Sequence, residues 1–177
     1  AIVVEHNPTY GTEQLAQQLA DSGASVALVW EQAVPRVLAS IKATGLRQVV
    51  AVDLSADLPW HLRWALKLPL PAARRTRAAM RGPVPAGVPR WHHLLRAARP
   101  LSDLPEPGSD NVALLLYTGG TTGTPKGAVL THRNLVANTV QGQAWTGLED
   151  GTEVIYAVLP FFHAFGLTLC LTYGARI

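Results

Sequence analysis

One cysteine in 177 residues rules out an internal disulfide, and Cys170, set among Leu167, Leu169 and Leu171, reads as a small core residue rather than a nucleophile. No apolar run reaches the roughly 18 residues that a membrane-spanning helix needs. A secretory leader is not expected either, because Ala1 to Val4 is apolar from the first residue and Glu5 follows at once. These absences point to a cytoplasmic protein. Charge is sparse, at 15% against 48% hydrophobic residues, which excludes a disordered tail and fits a domain with a buried core. The most telling gap is acidic. Between Leu58 and Ser102 there is no Asp or Glu, while Arg63, Lys67, Arg74, Arg75, Arg77, Arg81, Arg90, Arg96 and Arg99 place nine of the fifteen basic residues there. The net charge of +3 therefore belongs to one segment and not to the whole surface.

Three zones follow along the chain. Residues 1–57 alternate strand-like and helix-like patterns. Thr12 is placed to cap a helix carrying Leu15, Ala16, Leu19 and Ala20 on one face, with Gly23 as its stop. Ser25 to Trp30 and Gln48 to Val52 read as strands, and Val34, Val37, Leu38 and Ile41 have helical spacing between them. Strands alternating with helices imply a three-layer α/β fold, a mostly parallel sheet with helices on both faces. Residues 58–109 differ. Prolines punctuate three short basic amphipathic stretches, Trp60 to Leu68, Ala72 to Met80 and around Trp91 to Ala98. This zone reads as a basic Pro/Arg-rich surface insertion ending in a linker. Residues 110–177 return to α/β, with Val112 to Tyr117 as a central strand and Thr131 as the cap of a helix ending near Gly142. Val154 to Leu159 is expected to be another strand, and the chain from Phe165 onward to be helical.

The chemistry concentrates between Tyr117 and Gly127. Gly119, Gly120 and Gly123 free the backbone to turn successive N–H groups towards one anion. Thr118, Thr121, Thr122 and Thr124 add hydroxyls, and Lys126 adds a full positive charge behind the restricted backbone of Pro125. Together they form a polyphosphate cradle, and its place after a buried strand puts it at the carboxyl edge of the sheet. A Walker A loop would need Gly before the lysine and Ser or Thr after it. Pro125 and Gly127 stand there instead, so that class is excluded.

Tyr117 to Leu135, YTGGTTGTPKGAVLTHRNL, closely resembles the phosphate-loop motif of the adenylate-forming superfamily of acyl-CoA synthetases, aryl-CoA ligases and peptide-synthetase adenylation domains. The double glycine at 119 and 120 and Thr131 to Asn134 are most similar to long-chain fatty acid–CoA ligases. Leu159 to Gly166, LPFFHAFG, resembles the family segment that lines the acyl pocket, and a weaker similarity runs from Asn7 to Gly23.

The resemblance implies that ATP and a fatty acid give an acyl-adenylate and pyrophosphate, and that the acyl group then passes to coenzyme A. On that reading Thr118, Gly119, Gly120, Thr121, Thr122, Gly123 and Thr124 wrap the nucleotide phosphates, and Lys126 stabilises their charge together with Mg²⁺. Thr122 would meet the metal only indirectly, through ATP-bound magnesium. His163 with Phe162, Phe165 and Gly166 would contact the acyl substrate, against an alternative in which His163 is packed among Phe161, Phe162 and Phe165. His132 and Arg133 are expected to be surface residues of a first helical turn. The family's later elements, including its adenylation lysine, do not appear in the sequence. The chain is therefore expected to be a partial one that does not turn over substrate alone, with acid chain length set beyond Ile177. A fatty acyl–AMP ligase, an aryl-CoA ligase and a non-catalytic nucleotide- or acyl-binding module are the alternatives, and homo-oligomer formation is left open. Residues 58–102, with Trp60, Trp64 and Trp91, suit peripheral contact with an anionic membrane or a solvated arginine-rich insertion. No nucleic-acid recognition fold surrounds the basic run. His92-His93 lacks acidic or cysteine neighbours in sequence, so no metal site is expected there.

Overall fold

The computed structural model describes residues 1–118 and 126–177. In chain order the elements are β1 (Val3–Glu5), α1 (Thr12–Ser22), β2 (Val26–Trp30), α2 (Val34–Ser40), β3 (Gln48–Val52), α3 (Trp60–Ala65), α4 (Pro71–Met80), α5 (Trp91–Ala97), β4 (Val112–Thr118), β5 (Lys126–Thr131), α6 (His132–Thr146) and a π-helical stretch over Gly166–Tyr173. The α/β class is as expected. The ladders β1–β4 and β2–β3 are parallel, and β4–β5 is antiparallel. The chain divides into two compact units, Pro8–Ser102 and Ala1–Asn7 with Asp103–Ile177.

In the unit from Pro8 to Ser102, pairing sets Ala27 opposite Val49 and Val29 opposite Ala51. Those positions share one face of the two-stranded sheet, since side chains alternate along a strand. Val29, Val49 and Ala51 join Leu15 and Leu19 of α1 and Val34 and Val37 of α2 in the core. Leu28 points to the opposite face and is 58% exposed. Helix α1 begins one residue earlier than expected, because the cap falls on Gly11 and not on Thr12. Gly11 occupies the N-cap with extended backbone, and Thr12 is the first helical residue with no capping bond. Gly23 does stop it, at φ 63°, a left-handed conformation that glycine adopts without a Cβ clash.

The basic segment is held to this unit by a carboxylate that gave no signal in the sequence. Glu31 is 1% exposed. It accepts from Arg90 Nη1, from Arg81 Nε at 3.4 Å and from the Gly82 backbone N–H at 3.2 Å. Glycine is needed at 82 because a Cβ there would lie 2.7 Å from the Gln32 backbone. Trp30 Nε1 donates to the Met80 carbonyl at 2.7 Å, and Ala51 of β3 takes Arg90 as a parallel bridge partner.

In the other unit β4 lies between β1 and β5. Its Ala113, Leu114 and Leu116 form a small core with Leu167, against which Leu130 and Leu135 pack. Thr131 caps α6 as expected. Its hydroxyl accepts from the Asn134 N–H while Asn134 Oδ1 accepts from the Thr131 N–H, the reciprocal capping box. The helix does not stop at Gly142. It runs on to Thr146, and Gly147 at φ 70° ends it. Gly142 instead lets the Tyr173 ring close to 3.7 Å from where a Cβ would sit. The expected strand over Val154 to Leu159 is absent among the described residues. Tyr156 is 85% exposed, and its carbonyl is taken locally by the Val158 N–H, so the segment has no ladder partner.

Replacing Glu31 with Gln removes the charge that gathers Arg81 and Arg90 while keeping the shape. Because those arginines are 43% and 38% exposed and can rehydrate, the expected loss is about 2 kcal/mol, below that of a fully buried pair. Urea unfolding would measure it, and an unchanged midpoint would show that the cluster contributes nothing to stability.

Candidate active site

The candidate loop leaves the carboxyl end of β4 and re-enters the sheet at β5. The antiparallel ladder pairs Thr118 with Lys126 and Tyr117 with Gly127. Thr118 Oγ1 also donates to the Lys126 carbonyl at 3.4 Å. The two ends of the loop are thus tied to each other by the sheet. Gly119, Gly120, Thr121, Thr122, Gly123 and Thr124 lie outside the described residues, so of the expected phosphate ligands the structure places Thr118 and Lys126. Both are exposed, and among the described residues Lys126 makes no ion pair. An ammonium on a short edge strand, uncommitted to a carboxylate, can meet an anion without first breaking a bond. No group of three His, Cys, Asp or Glu side chains suited to a metal occurs among the described residues.

Gly127 has a role beyond excluding a Walker loop. A Cβ there would meet the Tyr117 ring at 3.3 Å, so the ring lies across its cross-strand partner. Tyr117 also meets His6, whose ring stacks on it with centroids 5.8 Å apart and planes at 28°. Parallel pairing of β1 with β4 sets Glu5 opposite Leu116, which brings Glu5 and His6 to the same sheet edge as Thr118. Sequence reading missed both residues, because only the ladder joins positions so distant in the chain. Burial pushes the Glu5 carboxyl above its ordinary value, and its Oε2 has no hydrogen-bond partner among the described residues.

The candidate acyl segment is a tight turn leading into the π-helical stretch. The His163 N–H donates to the Pro160 carbonyl at 3.1 Å, and the Leu167 N–H donates to the His163 carbonyl at 2.9 Å. Gly166 is obligatory here, since a Cβ would stand 2.1 Å from the Pro160 carbonyl oxygen. His163 is exposed, with the Phe162 ring 4.7 Å away at a 47° tilt, and Phe165 is exposed beside it. Arg133 is an exposed first-turn residue whose guanidinium bonds Asp110 at 2.8 Å and holds that carboxyl below its usual range. His92 is not without an acidic neighbour after all, because the fold sets Asp57 Oδ1 3.0 Å from its Nε2.

A family profile described as AMP-binding enzyme matches residues 1–177. The chain belongs to the AMP-binding enzyme family. Within it, the chain is similar to the long-chain-fatty-acid–CoA ligase of Bacillus subtilis strain 168, at 29% identity over 180 residues, covering 99% of this chain and 31% of that protein. It is also similar to the sulfoacetate–CoA ligase of Cupriavidus necator, at 50% identity over 68 residues, covering 38% of this chain and 13% of the other. The crystal structure of a long-chain-fatty-acid–CoA ligase from Archaeoglobus fulgidus superposes with a TM-score of 0.67 at 28% identity, over 97% of this chain and 28% of that one. The chain thus spans about a third of the length of the first curated relative, by the 31% coverage.

In this member of the AMP-binding enzyme family the half-buried Glu5 carboxyl gives a pH signature. Its folded pKa is raised, so the stability it contributes is fully present below the ordinary carboxylate value and is lost as pH rises from there through the raised folded value. Glu5→Gln is therefore expected to melt at a higher temperature than the parent at about pH 7 and to lose that advantage near about pH 4. Thermal melts at the two pH values decide it, and a variant that is less stable at neutral pH would contradict the assignment.

Proposed function

We propose that this chain is the phosphate-loop and acyl-pocket portion of an ATP-dependent acid–thiol ligase that activates a long-chain fatty acid and transfers it to coenzyme A. The observation that carries the reading is the Thr118–Lys126 pair. It closes a loop of glycine, threonine and lysine at the carboxyl edge of a strand, in a chain matched along its length by the AMP-binding family. The carboxylate oxygen of the acid attacks the α-phosphorus of ATP, the bond to the β-phosphate oxygen breaks, and pyrophosphate leaves. Thr118, with Gly119 to Thr124, holds the β- and γ-phosphates. Lys126 balances the charge that grows on pyrophosphate as the bond breaks, a term that is larger in the transition state than in the ground state. Magnesium carried on the nucleotide would add positive charge to the same phosphates, within reach of Thr122 only through them. Phe162, His163, Phe165 and Gly166 line the entrance for the acid. The coenzyme A thiol then displaces AMP from the acyl group.

The identity to a sulfoacetate–CoA ligase over 68 residues favours, as a second reading, a thiol ligase acting on a shorter or differently charged acid. A fatty acyl–AMP ligase and an aryl-CoA ligase share the same first step and differ in acceptor or acid. Peripheral contact of residues 58–102 with an anionic membrane is supported by Trp60 and Trp64, exposed at 70% and 64% one helical turn apart on α3, with Lys67 Nζ 4.8 Å over the Trp64 ring.

Radiolabelled pyrophosphate exchange by the full-length protein tests the reading. Exchange should require a fatty acid, and Lys126→Ala should lower it by about 10²–10³-fold, the scale of losing one preorganised charge-stabilising donor. Exchange that is unaffected by Lys126→Ala would remove the loop from the mechanism. Supplying coenzyme A, a carrier protein or an aromatic acid separates the alternatives.

A further inference from the structure

We propose that the α4–α5 face of the unit from Pro8 to Ser102 is a second, separate binding site, for a ligand bearing phosphate groups. Two hollows carry it. One, of about 390 Å³, is lined by Arg74, Arg77 and Arg81 over Ala78, Gly82 and Pro83. The other, of about 220 Å³, is lined by Arg81, Arg90, Arg96, His92 and His93 with Asp53 as its acid. Arg81 belongs to both, so the hollows are contiguous at that residue. The first set follows from spacing. Positions 74, 77 and 81 fall on one side of α4 and its C-cap, three and four residues apart, where like charges destabilise a helix.

The donor inventory distinguishes this face from a structural ion-pair network, which would use up its own donors. Arg81 spends only Nε, on Glu31 at 3.4 Å and on Asp53 at 3.2 Å. Arg90 spends only Nη1, on Glu31. Among the described residues Arg74 and Arg96 form no ion pair or side-chain hydrogen bond, and the His93 ring forms none. Arg77 gives a single long bond of 3.4 Å to the Leu66 carbonyl. Five guanidiniums therefore face two carboxylates, Glu31 and Asp53, while Asp57 is engaged by His92. A guanidinium presents a planar fork that matches phosphate oxygens two at a time. Buried Glu31 already fixes Arg81 and Arg90, so less freedom is lost when an anion docks on them. Two arginine-lined hollows joined at one residue suit a ligand with more than one phosphate. Such a ligand is a soluble polyphosphate or a cluster of lipid phosphate headgroups.

The test is calorimetric titration of the full-length protein with inorganic tripolyphosphate, and co-sedimentation with phosphatidylcholine vesicles with and without phosphatidic acid. The variants are Arg74→Gln/Arg96→Gln, which removes only side chains that hold nothing in the fold, and Lys126→Gln as the control for the phosphate loop. Binding that weakens about tenfold or more in the arginine variant, and persists in Lys126→Gln, supports the proposal. The arm that responds identifies the source of the phosphate. Binding lost only in Lys126→Gln assigns the anion to the phosphate loop and overturns the proposal while leaving the ligase reading intact. Unchanged affinity in the arginine variant, or no binding in either arm, also overturns it. Hydrogen exchange on the unmutated protein gives a readout free of folding defects. Slowed exchange over residues 74–96 on adding tripolyphosphate is expected, and its absence counts against the site.

Discussion

The two hydrogen-bond ladders of β4 hold the candidate active site in register. On one side β1 runs parallel, so Glu5 and His6 arrive at the carboxyl edge beside Tyr117. On the other side β5 runs antiparallel and brings Lys126 back to Thr118. Ala113, Leu114 and Leu116 bury the strand against Leu167, and that burial keeps the edge fixed while Thr118 and Lys126 remain in solvent. Thr131 closes β5 and opens α6 through its capping box, so the lysine strand is pinned at both ends. The backbone at Lys126 is held in this way by folding, which leaves only its side chain to be ordered by an anion.

Local chemistry made part of this legible. Thr131 was readable as a helix cap, Gly23 lies where a left-handed C-terminus was needed, and the α4 and α5 segments read as short amphipathic stretches between prolines. The strand over Val112 to Tyr117 was readable because a centrally paired strand is apolar throughout. Misreadings arose where a residue type has two uses. Gly142 looked like a helix end but is a contact point for Tyr173, and the true end uses Gly147. Val154 to Leu159 has strand composition, yet a strand exists only where another strand answers its backbone groups.

Of the candidate site, the contiguous part was legible as a motif. Thr118 and Lys126 sit on the motif and on paired strands. Glu5, His6 and the Tyr117–Gly127 contact were not legible, because each depends on a register that composition cannot specify. Glu31 is the clearest case. Nothing near it in sequence marks it, and its partners Arg81 and Arg90 are contributed by the acid-free segment, so the absence of acid there is partly answered from elsewhere in the same unit.

The central claim is that the hairpin formed by β4 and β5 receives the nucleotide phosphates. Amide hydrogen exchange of the full-length protein with and without magnesium–ATP tests it most directly. The account predicts slowed exchange over residues 117–131 when the nucleotide is added, with helix α1 unchanged. Unaltered exchange over 117–131 at saturating nucleotide would contradict it.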